Sequence, residues 1–166
     1  MSAASFSRVC LTAAVVVLGL ALGGCAKNSA DDGLLSGATP TAGPGSVQEF
    51  AASIGDRVFF DSDSTELNAA GQATLDKQAA WLTQYGRYTF TIEGHADERG
   101  TREYNFALGA KRAQATKEYL VAKGVAAARM KTISYGKERP VAVCNDISCW
   151  SQNRRAVTVL AGAAGS

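Results

Sequence analysis

The sequence predicts an α/β protein of the α+β type, a two-layer sandwich in which helices cover one face of a mixed sheet. Three observations support this fold class. Apolar and polar residues alternate over short segments, as in strands that are buried on one side only. Two long capped segments separate the predicted strands, and strand–helix–strand order favours right-handed crossovers between parallel neighbours. The predicted element order along the chain is β-α-β-α-β-β.

Two long helices are predicted from the signals at their ends. Asn68 stands before the first helix and Gly86 after it, in positions that favour an N-cap and a glycine stop. Thr101 can cap a second, longer helix that ends at Gly124. These two helices form the layer that covers the sheet.

Four segments have the composition and the period of strands. The clearest alternation is in YTFTIEG, where Tyr88, Phe90 and Ile92 face one way and the residues between them are polar. The last segment alternates too, with Ala156 and Leu160 on one face. The four predicted strands are residues 56–60, 88–94, 131–136 and 154–160.

The N-terminal 24 residues have the pattern of a secretion signal. Arg8 precedes an apolar run that is too short, and too rich in small residues at its end, for a stable membrane-spanning helix. The run ends in Leu-Gly-Gly-Cys at 22–25, which resembles the bacterial lipobox, whose cysteine is lipidated after cleavage. An ordinary cleaved signal peptide is the alternative. The prediction is a lipoprotein signal peptide at 1–24 and a lipid on Cys25.

A flexible tether is predicted after the lipidated cysteine. Residues 26–46 are rich in Gly, Ala, Ser, Pro and Thr and show no period. Such a chain spans roughly 25 Å on average. The tether with its cysteine is therefore assigned to 25–46 and the globular domain to 47–166. The domain is expected to begin with a short helix, since Ser46 and Glu49 have the spacing of a capping box.

Charge and motif content exclude several classes of function. The formal net charge is +2, with 17 basic and 15 acidic residues, which is too even for a nucleic-acid groove. No serine-hydrolase or zinc-protease motif occurs, and the single histidine cannot build a multi-histidine metal site. The protein is therefore expected not to be an enzyme and to use no metal or cofactor. His95 is expected to pack at a strand end and to hydrogen-bond the following loop.

Two cysteines remain after the N-terminal segment is accounted for. Cys10 leaves with the signal and Cys25 takes the lipid, so Cys144 and Cys149 are left as a pair. In an oxidising periplasm this pair is expected to form a disulfide that closes a small loop before the last strand. A metal site would need further ligands, and His95 is distant in sequence.

A candidate ligand site is predicted where the stretch EGHADERGTREYN, residues 93–105, leaves a strand and enters a helix. Asn105, Leu108 and Arg112 share one stripe of that helix, and Asp97 lies above its start. Opposite charges held apart suit a zwitterionic ligand, whose ammonium would meet Asp97 and whose carboxylate would meet the fork of Arg112. The alternative is a salt bridge between Asp97 and Arg112 in the empty state.

The remaining ionisable residues of this stretch are expected to be a solvated surface. Four of them can pair with one another: Glu98, Arg99, Arg102 and Glu103. Further along the chain, Trp150 follows Cys149 directly and is expected to cover the disulfide.

Several blocks of the sequence resemble the OmpA-like peptidoglycan-binding domain family. They are GHADERGTREYNFALGAKRAQA, VFFDSDSTEL before it, and SYGKERP and SQNRRAV after it, in the family's order between residues 58 and 160. The resemblance implies that the ligand is the meso-diaminopimelate of the peptidoglycan stem peptide. It implies Asp97 and Arg112 as the principal contacts, with the rest of the groove formed by Phe60, Asp61, Asn105, Leu108 and Arg155. The family's loop before SQNRRAV varies, so no contact is carried over from it.

With the lipobox and the tether, the resemblance implies an outer-membrane lipoprotein whose domain faces the periplasm and binds the cell wall. It also implies TolB and TolA of the Tol system as partners, and a role in envelope integrity and cell division. The same domain occurs behind outer-membrane barrels and in flagellar stator proteins, which need upstream strands or an uncleaved span. A wall hydrolase using Asp97 or Glu98 as acid or base is the remaining alternative.

Overall fold

The alternating segments form a four-stranded mixed sheet in the computed structural model, which describes residues 43–161 of the chain. The order of the strands across the sheet is β1-β4-β2-β3. Strand β4 is antiparallel to β1 and to β2, whereas β2 and β3 are parallel. The predicted mixed sheet is therefore confirmed. The strands are β1 (Arg57–Phe59), β2 (Phe90–His95), β3 (Met130–Gly136) and β4 (Arg155–Leu160).

Three predicted features lie outside the described residues. They are the signal peptide at 1–24, the lipid on Cys25 and the part of the tether that precedes residue 43. Within residues 43–161, no helix combines the length and the apolar character that crossing a bilayer requires.

The last part of the predicted tether, residues 43–46, is attached to the domain. The carbonyl of Gly45 accepts a hydrogen bond from the hydroxyl of Tyr88 at 2.7 Å. Its N–H donates to the Glu49 carboxylate at 2.7 Å, while Ser46 Oγ accepts from the Glu49 N–H at 3.1 Å. The glutamate thus reaches one residue further back than in a capping box.

The two long helices begin at the predicted caps. Oδ1 of Asn68 accepts from the Gly71 N–H at 2.9 Å, and Oγ1 of Thr101 accepts from the Tyr104 N–H at 3.2 Å. These bonds satisfy N–H groups that have no partner within the helix. The helices are α1 (Val47–Glu49), which continues as a π-helical segment (Phe50–Gly55), α2 (Ala69–Gln84), α3 (Arg102–Ala122) and α4 (Ile147–Asn153); a 3₁₀ turn covers Ala127–Arg129.

Helix α4 is absent from the predicted order β-α-β-α-β-β and precedes the last strand. Asp146 caps it by accepting from the Ser148 N–H at 2.7 Å. The helix has 7 residues and buries only Cys149 and Asn153. So short an element shows no 3.6-residue period, which is why the periodicity of the sequence does not reveal it.

The core lies between the sheet and helices α2 and α3. Alternate residues of β2 and β4 are buried there, as the sequence predicts. The residues that β2 and β4 contribute are Phe90, Ile92, Ala156, Thr158 and Leu160, and the helices contribute Leu75, Leu82, Ala113 and Leu120.

Helix α3 meets the sheet at two glycines. A Cβ atom on Gly94 of β2 would lie 1.8 Å from the carbonyl oxygen of Gly109 of α3. A Cβ atom on Gly109 would lie 2.5 Å from Oγ of Ser134 and 2.9 Å from the carbonyl oxygen of Gly94. No side chain fits in either position, so the two backbones touch. This contact sets the height of α3 above the end of β2, where the candidate site begins.

The close approach makes a prediction for the Gly94→Ala substitution. The added methyl group must push α3 away from the sheet, so the free energy of unfolding should fall by about 3 kcal/mol. Urea denaturation of the purified protein measures it. Gly86→Ala is the control, because a Cβ atom there would meet nothing within 4 Å. If the two variants unfold at the same midpoint concentration of urea, the position of α3 does not depend on this contact.

His95 is buried at the end of β2, and its ring packs 5.6 Å from the ring of Tyr135. The expected packing is found, but the expected hydrogen bond to the loop is wrong, because neither ring nitrogen has a hydrogen-bond partner within residues 43–161. The Glu93 carboxylate lies 3.7 Å from Nε2, beyond hydrogen-bond distance. Burial lowers the pKa of His95 to about 4, and nearby positive charges act in the same direction. Those charges are on Arg155, Arg139 and Arg57.

This buried imidazole predicts a loss of stability in weak acid. The pKa of His95 is about 4 in the folded protein against an ordinary 6.5, so between these values the unfolded chain binds more protons. The contribution of His95 to the free energy of unfolding is therefore fully present above pH 6.5. It decreases as the pH falls towards 4, by roughly 3 kcal/mol at most. Denaturant unfolding at a series of pH values measures the slope of the free energy of unfolding against pH. His95→Phe should flatten it between pH 6.5 and 4; an unchanged slope would assign the acid sensitivity to carboxylates.

Candidate ligand-binding site

The candidate site lies where β2 ends, and three segments meet there. The loop 96–101 leads from β2 into α3, and the turn 61–64 stands opposite, fixed by a hydrogen bond from the Ser64 N–H to the Asp61 carbonyl at 3.2 Å. The third segment is the junction between α4 and β4. The sequence-predicted residues Asp97, Arg112, Phe60 and Asp61 are all brought to this end of the sheet.

Asp97 is 6% exposed and is surrounded by hydrogen-bond donors. Arg99 donates to it from Nη2 at 2.6 Å, from Nε at 3.2 Å and from the backbone N–H at 3.2 Å. Arg154 donates from Nη1 at 3.3 Å. Burial alone would raise the pKa of Asp97, but the bonds from Arg99 and Arg154 outweigh it and hold the pKa below its ordinary value. Asp97 is therefore ionised at neutral pH, which does not suit a general acid.

Arg112 is fully buried, and its guanidinium donates hydrogen bonds to backbone carbonyls. It donates to the carbonyls of Ser64 at 2.9 Å, His95 at 2.9 Å and Asp61 at 3.2 Å. These bonds use three of the five N–H groups of a guanidinium, so each terminal nitrogen keeps one N–H for another acceptor. Burial and, second, repulsion from Arg154 lower the pKa of Arg112 to about 10, so it remains charged at neutral pH.

The alternative salt bridge between Asp97 and Arg112 is not formed. Among the described residues, the ion pairs of Asp97 are with Arg99 and Arg154. Asp97 nevertheless attracts the charge of Arg112 and raises its pKa, against the larger effect of burial. The two groups are thus near one another but not in contact, as a ligand that bridges them requires.

Phe60 and Asp61 stand beside Arg112. The guanidinium of Arg112 lies 5.3 Å from the centre of the Phe60 ring, and the Asp61 carbonyl is one of its acceptors. The turn that follows contains Asp63, which has a φ of 53° and accepts from the Tyr104 hydroxyl at 3.3 Å. The carboxylate of Asp63 also attracts Arg112. This wall therefore contributes one aromatic face and two exposed carboxylates.

Asn105 and Leu108 face inward on α3, at 1% and 8% exposure. The Asn105 amide donates to the Arg99 carbonyl at 2.6 Å, so it holds the loop 96–101 in place. Leu108 lies one helical turn before Arg112 on the same stripe. Asn105 was predicted to line the groove. In the structure its side chain instead supports the loop 96–101.

Arg155, which is predicted to lie near the site, does not contact Asp97. Its guanidinium donates to the carbonyls of Asn153 and Arg139 at 3.3 and 3.1 Å. The neighbouring Arg154 instead donates to Asp97 at 3.3 Å and to the Phe60 carbonyl at 3.0 Å. Successive residues of an extended chain point to opposite sides. The alternation of β4, with Ala156 on the helix side, was the signal that could have assigned Arg154.

Arg99 is also placed differently from the prediction of a mutually paired, solvated surface. Besides Asp97, it contacts Ser62 Oγ at 2.7 Å and lies 4.4 Å from the centre of the Trp150 ring. The indole N–H of Trp150 donates to Glu98, which fixes the ring over the loop. Trp150 therefore covers Arg99, and its expected cover of the disulfide stays a prediction. Arg102 pairs with Glu138, at 3.2 Å. These contacts join residues that are far apart in the sequence, so no local sequence pattern predicts them.

Cys144 and Cys149 are joined by a disulfide, with their Cα atoms 5.7 Å apart. Asp146 lies beside the two sulfur atoms and could serve as a further metal ligand. A disulfide, however, contains no thiolate, the form of cysteine that binds metals. The bond ties the start of α4 to the preceding loop and so helps to position Trp150.

The chain matches the model of the OmpA family over residues 59–154. Two curated relatives are called peptidoglycan-associated lipoprotein. That of Rhizobium meliloti (strain 1021) is 65% identical over 154 residues, which cover 89% of this chain and 86% of the relative. That of Pseudomonas aeruginosa is 41% identical over 162 residues, which cover 90% and 92%.

Two solved structures have the same fold. The peptidoglycan-associated lipoprotein of Burkholderia pseudomallei is 42% identical, with a TM-score of 0.64 over 68% of this chain and 98% of that one. The C-terminal domain of Helicobacter pylori MotB is 21% identical, with a TM-score of 0.60 over 66% and 86%, and its likeness concerns the fold alone. The family model, the relatives and the shared fold agree, and the chain belongs to the OmpA family.

Proposed function

We propose that this protein is an outer-membrane lipoprotein that binds peptidoglycan without a covalent bond and so links the outer membrane to the cell wall. Membership of the OmpA family and the relatives named peptidoglycan-associated lipoprotein support the association with peptidoglycan. The protein is a binding protein rather than an enzyme, as its family relatives are.

The ligand in this proposal is the meso-diaminopimelate residue of the stem peptide. One observation carries it: an ionised Asp97 and a charged Arg112 with spare N–H groups lie near one another at the end of β2. The free end of diaminopimelate carries an ammonium and a carboxylate. The ammonium would pair with Asp97, and the carboxylate with the two spare N–H groups of Arg112 after the side chains that cover this buried arginine have moved. The other proposed contacts are Phe60, Asp61 and Leu108, with Asn105 in support and Arg154 in place of Arg155.

The anchor and the tether complete the proposed link. Acyl chains on Cys25 would hold one end in the membrane, since each buried methylene contributes about 0.8 kcal/mol. A tether of the composition of residues 26–42 would give the domain a reach on the order of 20 Å. The domain would then contact the wall from the periplasmic side of the outer membrane.

The proposal extends to the Tol system. TolB and TolA are the proposed protein partners, and envelope integrity and cell division the proposed processes. This extension is supported by the resemblance of residues 94–115 and of the lipobox at 22–25 to the corresponding segments of the family's lipid-anchored members.

The proposed ligand predicts a specific pattern of affinity. The protein should bind a muropeptide containing meso-diaminopimelate about tenfold more tightly than one containing lysine, because lysine lacks the carboxylate that would pair with Arg112. Asp97→Asn keeps the shape of the side chain but removes its charge, and should weaken binding of the diaminopimelate muropeptide by about tenfold. Calorimetric titration measures both effects.

The control for Asp97→Asn is Asp76→Asn, a matched change at an exposed ion pair with Lys123. Its affinity should equal that of the unmodified protein. Arg112→Ala is unsuitable, because it would leave three carbonyl groups without their donor and destabilise the fold. Equal affinity for the two muropeptides would contradict the proposed ligand.

The lipid anchor makes a separate prediction. Cys25→Ser removes the thiol that would carry the lipid, so the protein should move from the membrane fraction to the soluble periplasmic fraction. Cell fractionation and immunoblotting measure this distribution. Cys144→Ser is the control for losing a cysteine and should stay with the membranes. A Cys25→Ser protein that remains in the membrane fraction would refute lipid anchoring at this residue.

A further inference from the structure

Arg99 occupies the position at Asp97 that the ammonium of the proposed ligand needs. The two oxygens of an ionised carboxylate offer about four acceptor sites. Oδ1 of Asp97 accepts from the backbone N–H and from Nε of Arg99, and Oδ2 accepts from Nη2 of Arg99 and from Nη1 of Arg154. All four sites are thus taken, and the side chain of Arg99 takes two of them.

Of the two arginines at Asp97, only Arg99 is placed to leave. The side chain of Arg154 is 8% exposed and is also bound to the Phe60 carbonyl at 3.0 Å. The side chain of Arg99 is 42% exposed. Its other side-chain contacts, with Ser62 Oγ and with the ring of Trp150, are at the surface of the site. A guanidinium in this position can turn into solvent without leaving a buried charge unpaired.

We infer that Arg99 is a built-in competitor for Asp97 and sets the affinity of the site. This inference rests on the proposed function. The ligand's ammonium binds by displacing the guanidinium of Arg99, while Arg154 and the Arg99 backbone N–H keep their bonds to Asp97. Binding therefore exchanges one cation for another at Asp97. The gain at Asp97 is therefore smaller than the same ammonium would obtain at a carboxylate without a competing arginine, and the association stays weak and reversible.

Trp150 is a positioning residue in this arrangement. Its ring lies 4.4 Å from the guanidinium of Arg99, and its N–H is bound to Glu98 in the same loop. The stacking limits the orientations of Arg99 to those that face Asp97, which strengthens the competition. Removing the ring should therefore raise the affinity in the same direction as removing Arg99, but by less.

The test is calorimetric titration of the full-length protein in detergent with the diaminopimelate muropeptide. Arg99→Ala should bind it about fivefold more tightly than the unmodified protein, the value expected for loss of a partly exposed ion pair. Arg99→Met removes the charge but keeps an apolar stem against Trp150, and should show the same gain. Arg102→Ala is the matched control, since it removes an arginine three residues away that pairs with Glu138. Its affinity should not change.

Ionic strength gives a second readout that separates competition from a structural effect. In the unmodified protein one cation replaces another at Asp97, so the affinity should depend weakly on salt. In Arg99→Ala the ligand's ammonium forms a new ion pair, so the affinity should fall more steeply as salt is added. A melting temperature for each variant shows whether the fold is kept.

The outcomes distinguish this inference from the proposed function. Weaker binding by both Arg99 variants would mean that Arg99 contacts the ligand, and would overturn the competition while leaving the site in place. An unchanged affinity, or an equal gain in Arg102→Ala, would also overturn it. If the unmodified protein binds diaminopimelate and lysine muropeptides equally, the proposed function fails first, whatever the variants do.

Discussion

The buried guanidinium of Arg112 is the interaction on which the rest of the site depends. It gathers the carbonyl oxygens of Asp61, Ser64 and His95 around one charge. A buried charge is costly unless it is surrounded by such acceptors, and the acceptors in turn need a donor. The turn after β1 and the end of β2 are therefore fixed to each other through α3. The turn 61–64, the end of β2 and the guanidinium of Arg112 are thus held together by one set of hydrogen bonds.

The position of that charge depends on backbone contact rather than on side chains. Gly94 and Gly109 bring α3 onto β2 so closely that no Cβ atom fits between them. Arg112 follows Gly109 by three residues on the same helix, so the contact decides where its guanidinium lies relative to the strand end. This chain thus has glycines within a helix and a strand, where they weaken both elements, at the two positions where the backbones approach.

In the proposed function, the distribution of charge at the site makes binding specific without making it strong. One ionised aspartate, Asp97, faces Arg99 and Arg154, while Arg112 lies slightly apart. The ammonium of the proposed ligand would meet a carboxylate that is already paired, whereas its carboxylate would pair with the remaining N–H groups of Arg112 once this fully buried side chain is uncovered. A ligand with both groups in the right spacing gains most. Reversible contact of this kind would suit the proposed link between a membrane and a wall that must grow.

Features that depend on near neighbours along the chain can be predicted from the amino-acid sequence. These include the caps at Asn68 and Thr101, the alternation of β2 and β4, and the stripe that turns Arg112 inward on α3. Folding brings Trp150 over Arg99 and Arg154 to Asp97, although the alternation of β4 already places Arg154, and not Arg155, on the side of the helices. The reason is physical: caps and periods act within a few residues, whereas ion pairs and stacking join side chains that only the folded sheet brings together.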